Sequence, residues 1–287
     1  MTRTRPLYAI GDVHGDAERL VKLMVVHGLI DVSEGRVKWL KPGVIVLLMG
    51  DVSDAKSRVS EFGDMLFQGS LSDMWIFEFL KTAQAEAEKV GSCLYSLIGN
   101  HELLNVKGDF RFASPYHARD AEKRKQYFSA GRGFSVLTSM FLTSMTYNGI
   151  HYSHAGIPLQ PSAGQKQIIG KKVSAALLQE PRMSHLEGLI SHRDYFEPAT
   201  AHTEKAVATL LLRRGLKKMV IGHNFTDGKG IVHGYGGRVV YIDVGISKAF
   251  SPKASAQSSQ ILYDPGDGDL QVLNLDGSLK PIPSRAS

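Results

Sequence analysis

Five short apolar runs in this chain each hand over to a glycine close to a residue able to ligate a metal. The run at 7–10 leads into Gly11-Asp12-Val13-His14-Gly15, and the run at 44–49 into Gly50-Asp51-Val52-Ser53-Asp54. Residues 93–98 precede Gly99-Asn100-His101-Glu102, residues 150–153 precede His154-Ala155-Gly156, and residues 219–221 precede Gly222-His223-Asn224. Hard oxygen donors mixed with imidazoles suit Mn, Fe, Zn or Ni rather than calcium. The single cysteine, Cys93, excludes a thiolate cluster and an intramolecular disulfide framework. Asp12, His14 and Asp51 can hold one ion; Asp51, Asn100, His154 and His223 can hold another, with Asp51 as the bridge. Two ions about 3.5–4 Å apart would clamp a phosphoryl group and activate a water. His101, next to Asn100, is then free to protonate a leaving oxygen, and Asp54 is placed to orient it.

Donors so far apart in sequence converge only if the elements before them end side by side, as strands do at the carboxyl edge of an α/β sheet. The run at 7–10 reads as a strand, and Asp16 opens an amphipathic helix carrying Leu20, Leu23, Met24 and His27 at helical spacing. The uninterrupted apolar stretch at 44–49 predicts a strand covered on both faces. A helix is expected over 72–90, with Trp75, Ile76, Phe79 and Leu80 facing the core and Gly91 at its end, then a strand at 93–98. This βαβα order predicts an α/β core. Further on, strands are expected at 149–153, 219–221 and 239–242, a helix at 203–214, and a hairpin of 261–263 with 270–273. The expectation is one domain over 1–287, with 107–148 as an insert near the site and 276–287 as a flexible tail.

With 43% hydrophobic and 22% charged residues, the composition is that of a soluble globular protein. No apolar run approaches the roughly 18–20 residues that span a bilayer, and the apolar segment after the basic opening stops at Gly11-Asp12, so no signal peptide is expected. A cytoplasmic location and no membrane partner follow as expectations. The net charge of +6 points to anionic partners. Within 107–132 lie seven basic and three acidic residues, interleaved with Phe110, Phe112, Tyr116, Tyr127 and Phe128. Such a mixture can stack single-stranded nucleic acid, which keeps RNA or a nucleotide in view, but it reads first as an exposed charged helix lying over the core. His151 shares strand parity with Ser153 rather than His154 and is expected to point away from the site.

Taken in order, GDVHG, GDVSD, GNHE, HAG and GH resemble the calcineurin-like metallophosphoesterases of the phosphoprotein phosphatase superfamily. The run at 99–111 and the segment Ile242-Asp243-Val244-Gly245-Ile246-Ser247-Lys248-Ala249-Phe250 are similar to its bacterial-type, Shewanella-like protein phosphatase branch. The resemblance implies a β-sandwich of two mixed sheets flanked by helices, with a dinuclear site at the carboxyl ends of strands. It assigns the metal ligands to Asp12, His14, Asp51, Asn100, His154 and His223, and the acid to His101. It implies two divalent or trivalent ions, Mn first with Fe or Zn also fitting. The second motif usually reads GDxxDRG, with the arginine holding the substrate phosphate; here Ala55 occupies that place, and Lys56 or Arg58 stands close enough in sequence to substitute. A second clamping arginine matches Arg193, and Arg111, closing the GNHE run, is a further substrate-binding candidate. Arginine suits the task because its planar fork binds phosphate oxygens in pairs. The implied activity is a metal-dependent phosphomonoesterase, a protein phosphatase acting on phosphoserine, phosphothreonine or phosphotyrosine through a metal-activated hydroxide, with a phosphorylated protein or a phosphorylated small molecule as the expected partner. The alternative is a phosphoanhydride hydrolase acting on dinucleoside polyphosphates or RNA caps.

Overall fold

The computed structural model describes residues 4–54, 74–113, 121–250 and 255–285. The chain opens with β1 (Leu7–Ile10), α1 (Ala17–Val26), the pair β2 (Ile30–Ser33) and β3 (Arg36–Trp39), then β4 (Ile45–Leu48), α2 (Trp75–Lys89), β5 (Cys93–Leu97) and α3 (Asn100–Lys107). It continues through α4 (Ala121–Ser129), α5 (Arg132–Met140), β6 (Phe141–Leu142), β7 (Ser144–Tyr147), β8 (Ile150–Ser153), α6 (Ala163–Ile168), α7 (Arg182–Ile190) and α8 (Ala201–Arg213). Last come β9 (Lys218–Ile221), β10 (Val232–Gly234), β11 (Val239–Tyr241), β12 (Ile261–Asp264), β13 (Gln271–Leu273) and β14 (Leu279–Pro281).

β2 and β3 pair as a separate two-stranded sheet, and the other strands make two mixed sheets, a seven-stranded one in the order β14-β13-β12-β1-β4-β5-β6 and a five-stranded one in the order β10-β11-β9-β8-β7. Alternation along β9 explains how they stack. Val220 joins the large core that also holds Ile10, Leu48 and Leu97 of the other sheet, while Met219 and Ile221 point to the opposite face and pack on Val207 and Leu211 of α8. In β11, Val240 faces the inter-sheet core, while Val239 and Tyr241 face α8. β1 and β4 are buried along their whole length, as their unbroken apolar runs require.

Direction matters more than layering for the site. β1, β4 and β5 run parallel, as do β8, β9 and β11. Each set therefore delivers its carboxyl ends, and the motifs that follow them, to one edge. α1 starts at Asp16, whose side chain accepts from the Arg19 N–H at 3.1 Å, and buries Leu20, Leu23 and Met24.

Within the stretch expected as an insert, β6 and β7 are edge strands of the two sheets. Near the end of the described residues β14 pairs with β13, and His233 exchanges backbone hydrogen bonds with Pro283 and Arg285. The short alternating pattern of 279–281 was too brief to read as a strand. No described helix is long and apolar enough to cross a membrane.

Candidate metal centre

The strand-end loops are locked to one another before any side chain is considered. Val13 and His14 donate backbone N–H groups to the Asp51 carbonyl, and Gly15 donates to that of Val52. Glu102 completes the lock. Its Oε1 accepts from the N–H groups of Val52 and Ser53 and from the Ser53 hydroxyl, and its Oε2 accepts from the N–H groups of Asp51 and Gly99, all at 2.8–3.0 Å. Glycine is required where the loops touch. A Cβ on Gly99 would fall on the Asp51 carboxylate, and one on Gly222 would fall on that of Asp12. His14, Asp51, Asp54 and His223 all sit at positive φ, a strained backbone for residues with side chains that the surrounding contacts impose.

The six expected ligands come together. Asp51 Oδ1 accepts from the His101 N–H at 2.9 Å, at the first turn of α3, where an anion is favoured. Its Oδ2 lies 3.3 Å from His154 Nε2 and 4.0 Å from His14 Nε2. Asn100 Oδ1 is 3.1 Å from His154 Nε2. His154 Nδ1 meets the Met49 carbonyl at 2.9 Å, which fixes the tautomer and leaves Nε2 as the ligand atom. Asp12 Oδ2 accepts from the His223 N–H at 2.9 Å. Asp12 Oδ1 and His223 Nε2 are buried without a hydrogen-bond partner. Ligand atoms of Asp51, His154 and His223 lie within 4.8 Å of one another, as do those of His14, Asp51 and His101 and those of Asp12, His14 and Asp243.

The electrostatics fit cations. Burial pushes the Asp12 carboxyl well above its usual range, reinforced by Asp243 and Asp51. Burial likewise raises Asp243 to about 7 and lowers His223 to about 3. For Asp51, burial alone would raise the value, but His154 and His101 overcome it and hold the carboxylate well below the normal range. Orphaned donor atoms and crowded buried carboxylates are what divalent ions offset, so the residues present fit such a group.

Asp243 was missed in the sequence as a ligand candidate. It lies two residues beyond β11, the same strand-end placement as the other motifs, but Ile242 stands where they carry a glycine. His101 Nδ1 lies 2.8 Å from Asp54 Oδ2, and His101 Nε2 lies 3.8 Å from Asp51 Oδ2. Phe112 packs edge-on to His101 and Phe250 packs on His14.

The substrate-side residues divide. Arg193 is exposed at the rim, donating from Nη1 to the His223 carbonyl at 3.3 Å with its guanidinium over Phe196. Arg111 is exposed and paired with Asp109. Lys56 and Arg58 lie outside the described residues. The helix expected to be exposed over the core is mostly so, but Arg124 of α4 points inward against Asp54. The remaining basic run hid it: a buried arginine looks like its exposed neighbours when the sequence alone is read.

The sequence pattern described as calcineurin-like phosphoesterase matches residues 5–247. Shewanella-like protein phosphatase 2 of Arabidopsis thaliana is 29% identical over 133 residues, 46% of this chain and 30% of that protein. Shewanella-like protein phosphatase 1 of Plasmodium berghei (strain Anka) is 31% identical over 160 residues, 53% of this chain and 39% of that one. The chain thus spans less than half the length of either relative. In three dimensions it is similar to a cold-active protein-tyrosine phosphatase of a psychrophilic Shewanella species, with a TM-score of 0.73 at 19% identity over 96% of this chain and 80% of that one.

Proposed function

The chain belongs to the calcineurin-like phosphoesterase family, and from that premise we propose that it is a dinuclear metal-dependent phosphomonoesterase whose substrates are phosphorylated proteins. The observation that carries the reading is the shared Asp51, which joins the His14–His101 group to the His154–His223 group at one buried point. Asp12, His14 and Asp51 would hold one ion, with Asp243 beside them; Asp51, Asn100, His154 and His223 would hold the second, and Mn is the ion we favour. When bound, the two ions supply Lewis acidity, neutralising phosphoryl charge and making water nucleophilic near neutral pH.

The chain's own residues do the rest. His101 donates Nδ1–H to Asp54, which leaves Nε2 facing the cluster to carry the proton that a leaving alkoxide needs. Arg193, anchored by the His223 carbonyl, presents its fork to the phosphate oxygens. Phe112 and Phe250 wall the two histidines and limit water there. The similarity to Shewanella-like phosphatases supports phosphoprotein substrates.

The test is turnover of an aryl phosphate, phosphoserine, phosphothreonine and phosphotyrosine peptides, a dinucleoside tetraphosphate and capped RNA, after metal removal and add-back of single ions. Phosphopeptide hydrolysis restored by Mn, and abolished in Asp12→Asn and His154→Ala, is the expected result. Faster turnover of the anhydrides would replace the protein-phosphatase assignment, and metal-independent turnover would remove the metal centre from it.

A further inference from the structure

Arg124 is the largest side chain buried at the site that none of the motifs contains. Its guanidinium is 1% exposed and lies over the rings of Phe110 and Phe128. Nη2 donates to Asp54 Oδ1 at 3.0 Å and Nε to Asn105 Oδ1 at 2.7 Å. Asn105 in turn donates from Nδ2 to the same Asp54 oxygen at 2.8 Å and to the His101 carbonyl at 2.8 Å. Asp54 Oδ1 is thereby held from two sides, and Oδ2 meets His101 Nδ1 at 2.8 Å.

A buried carboxylate free to rotate could offer either oxygen and would let the imidazole swing with it. With Arg124 and Asn105 on one oxygen, neither rotation is open, and the Nδ1–H tautomer of His101 is the one that fits. We propose that Arg124 is a positioning residue that acts through Asp54 to hold the His101 imidazole with Nδ1–H on Asp54 and Nε2 facing the cluster, so that once Nε2 takes up a proton the imidazolium delivers it to a leaving oxygen. A helix lying between the GNHE and HAG motifs thus supports the acid. Burial with a guanidinium rather than an ammonium is consistent with this, because one planar group must meet Asp54 and Asn105 together. The inference rests on the acid role given to His101 above.

One measurement tests it separately from that role, and kinetics in the loaded enzyme test the two together. In ion-free protein labelled with 15N-histidine, and without substrate, wild type should show a protected downfield proton on His101 Nδ1. Arg124→Lys retains the charge but cannot span both acceptors, so the signal should broaden or vanish; an unchanged signal in a folded variant overturns the proposal. This readout stands whether or not the phosphoesterase reading does, and it needs only the lysine variant if Arg124→Ala fails to fold. In the loaded enzyme, the Arg124 variants should lose little kcat on p-nitrophenyl phosphate and at least tenfold more on an alkyl phosphate, with KM nearly unchanged. The double variant with His101→Ala should be no slower than His101→Ala alone. Guanidinium ion below denaturing concentration should restore part of the Arg124→Ala loss. Equal loss on good and poor leaving groups, or losses that multiply in the double variant, would overturn the proposal.

Discussion

Glu102 shows how much one buried carboxylate can organise. Its oxygens receive five donors from two loops, so it is neither ligand nor acid but the part that sets their spacing. Burial, with Asp51 nearby, raises its proton affinity, and the N–H groups of Ser53 and Gly99 oppose that rise. Glu102→Gln keeps the shape but turns an NH2 toward N–H groups that need an acceptor. Leaving buried donors unmet costs about 1–3 kcal/mol each. The variant should lose about 2–4 kcal/mol in urea unfolding and should bind ions more weakly by calorimetry; stability unchanged within error would show that the loops are held by other contacts. At this scale, legibility followed locality. Asp12, His14, Asp51, Asn100, His154 and His223 could be read because each stands within four residues of a strand end and beside or near a glycine. Asp243 shares the strand-end placement but follows Ile242 instead of a glycine, and Arg124 could not be read because it stands among basic neighbours in a helix where nothing marks the one that turns inward.

Strand parity made β8 readable: Tyr152 enters the inter-sheet core, and His151 turns to the other face, where Thr146 Oγ1 lies 3.2 Å from its Nδ1. Burial there pushes the His151 value from 6.5 down to about 3. A histidine with a lowered native value stays neutral in the folded protein while the unfolded chain takes up a proton, so stability is lost as pH falls from about 6.5 toward about 3, by roughly 1.4 kcal/mol per pH unit. His151→Gln removes that uptake and keeps a hydrogen-bonding group. Between pH 6.5 and 5 the chelated variant should lose about 2 kcal/mol less unfolding free energy than chelated wild type; parallel pH profiles would count against a neutral buried histidine. The hairpin of β2 and β3 escaped the sequence reading for a different reason. Its two-residue turn, Glu34-Gly35, has both residues at positive φ, the primed geometry, but glutamate is a rarer occupant than the Asn or Asp that usually marks such a turn. The glycines at strand ends are tested by Gly99→Ala, whose added methyl collides with Asp51; it should fold less stably and lose at least one ion from the measured stoichiometry.

The two sheets meet along an apolar core that needs no metal, yet their polar edges share one buried cluster. Asp12, Asp51 and Asn100 come from the seven-stranded sheet, and His154, His223 and Asp243 from the five-stranded one. Ions held there would bind groups from both sheets at once, and the unfolded chain cannot offer the same set. Binding should therefore appear as stability, since a ligand at a hundred times its dissociation constant contributes about 2.7 kcal/mol. For a chain of this length about 1 kcal/mol moves Tm by roughly 2–4 °C, so one ion should raise Tm by about 5–10 °C. Chelation should lower Tm by at least that much and add-back of Mn should restore it. The variants separate the two ions. His223→Ala belongs to one group of ligands and should retain part of the restoration, whereas Asp51→Asn belongs to both and should retain little. Removing Asp51 relieves repulsion at Asp12 and Asp243 but leaves His154 and His101 without their anion, so the readout for this variant is its response to Mn measured against its own ion-free Tm. A Tm insensitive to chelator in wild type, or a full response to Mn in Asp51→Asn, would mean that the ions do not bridge the sheets through this residue.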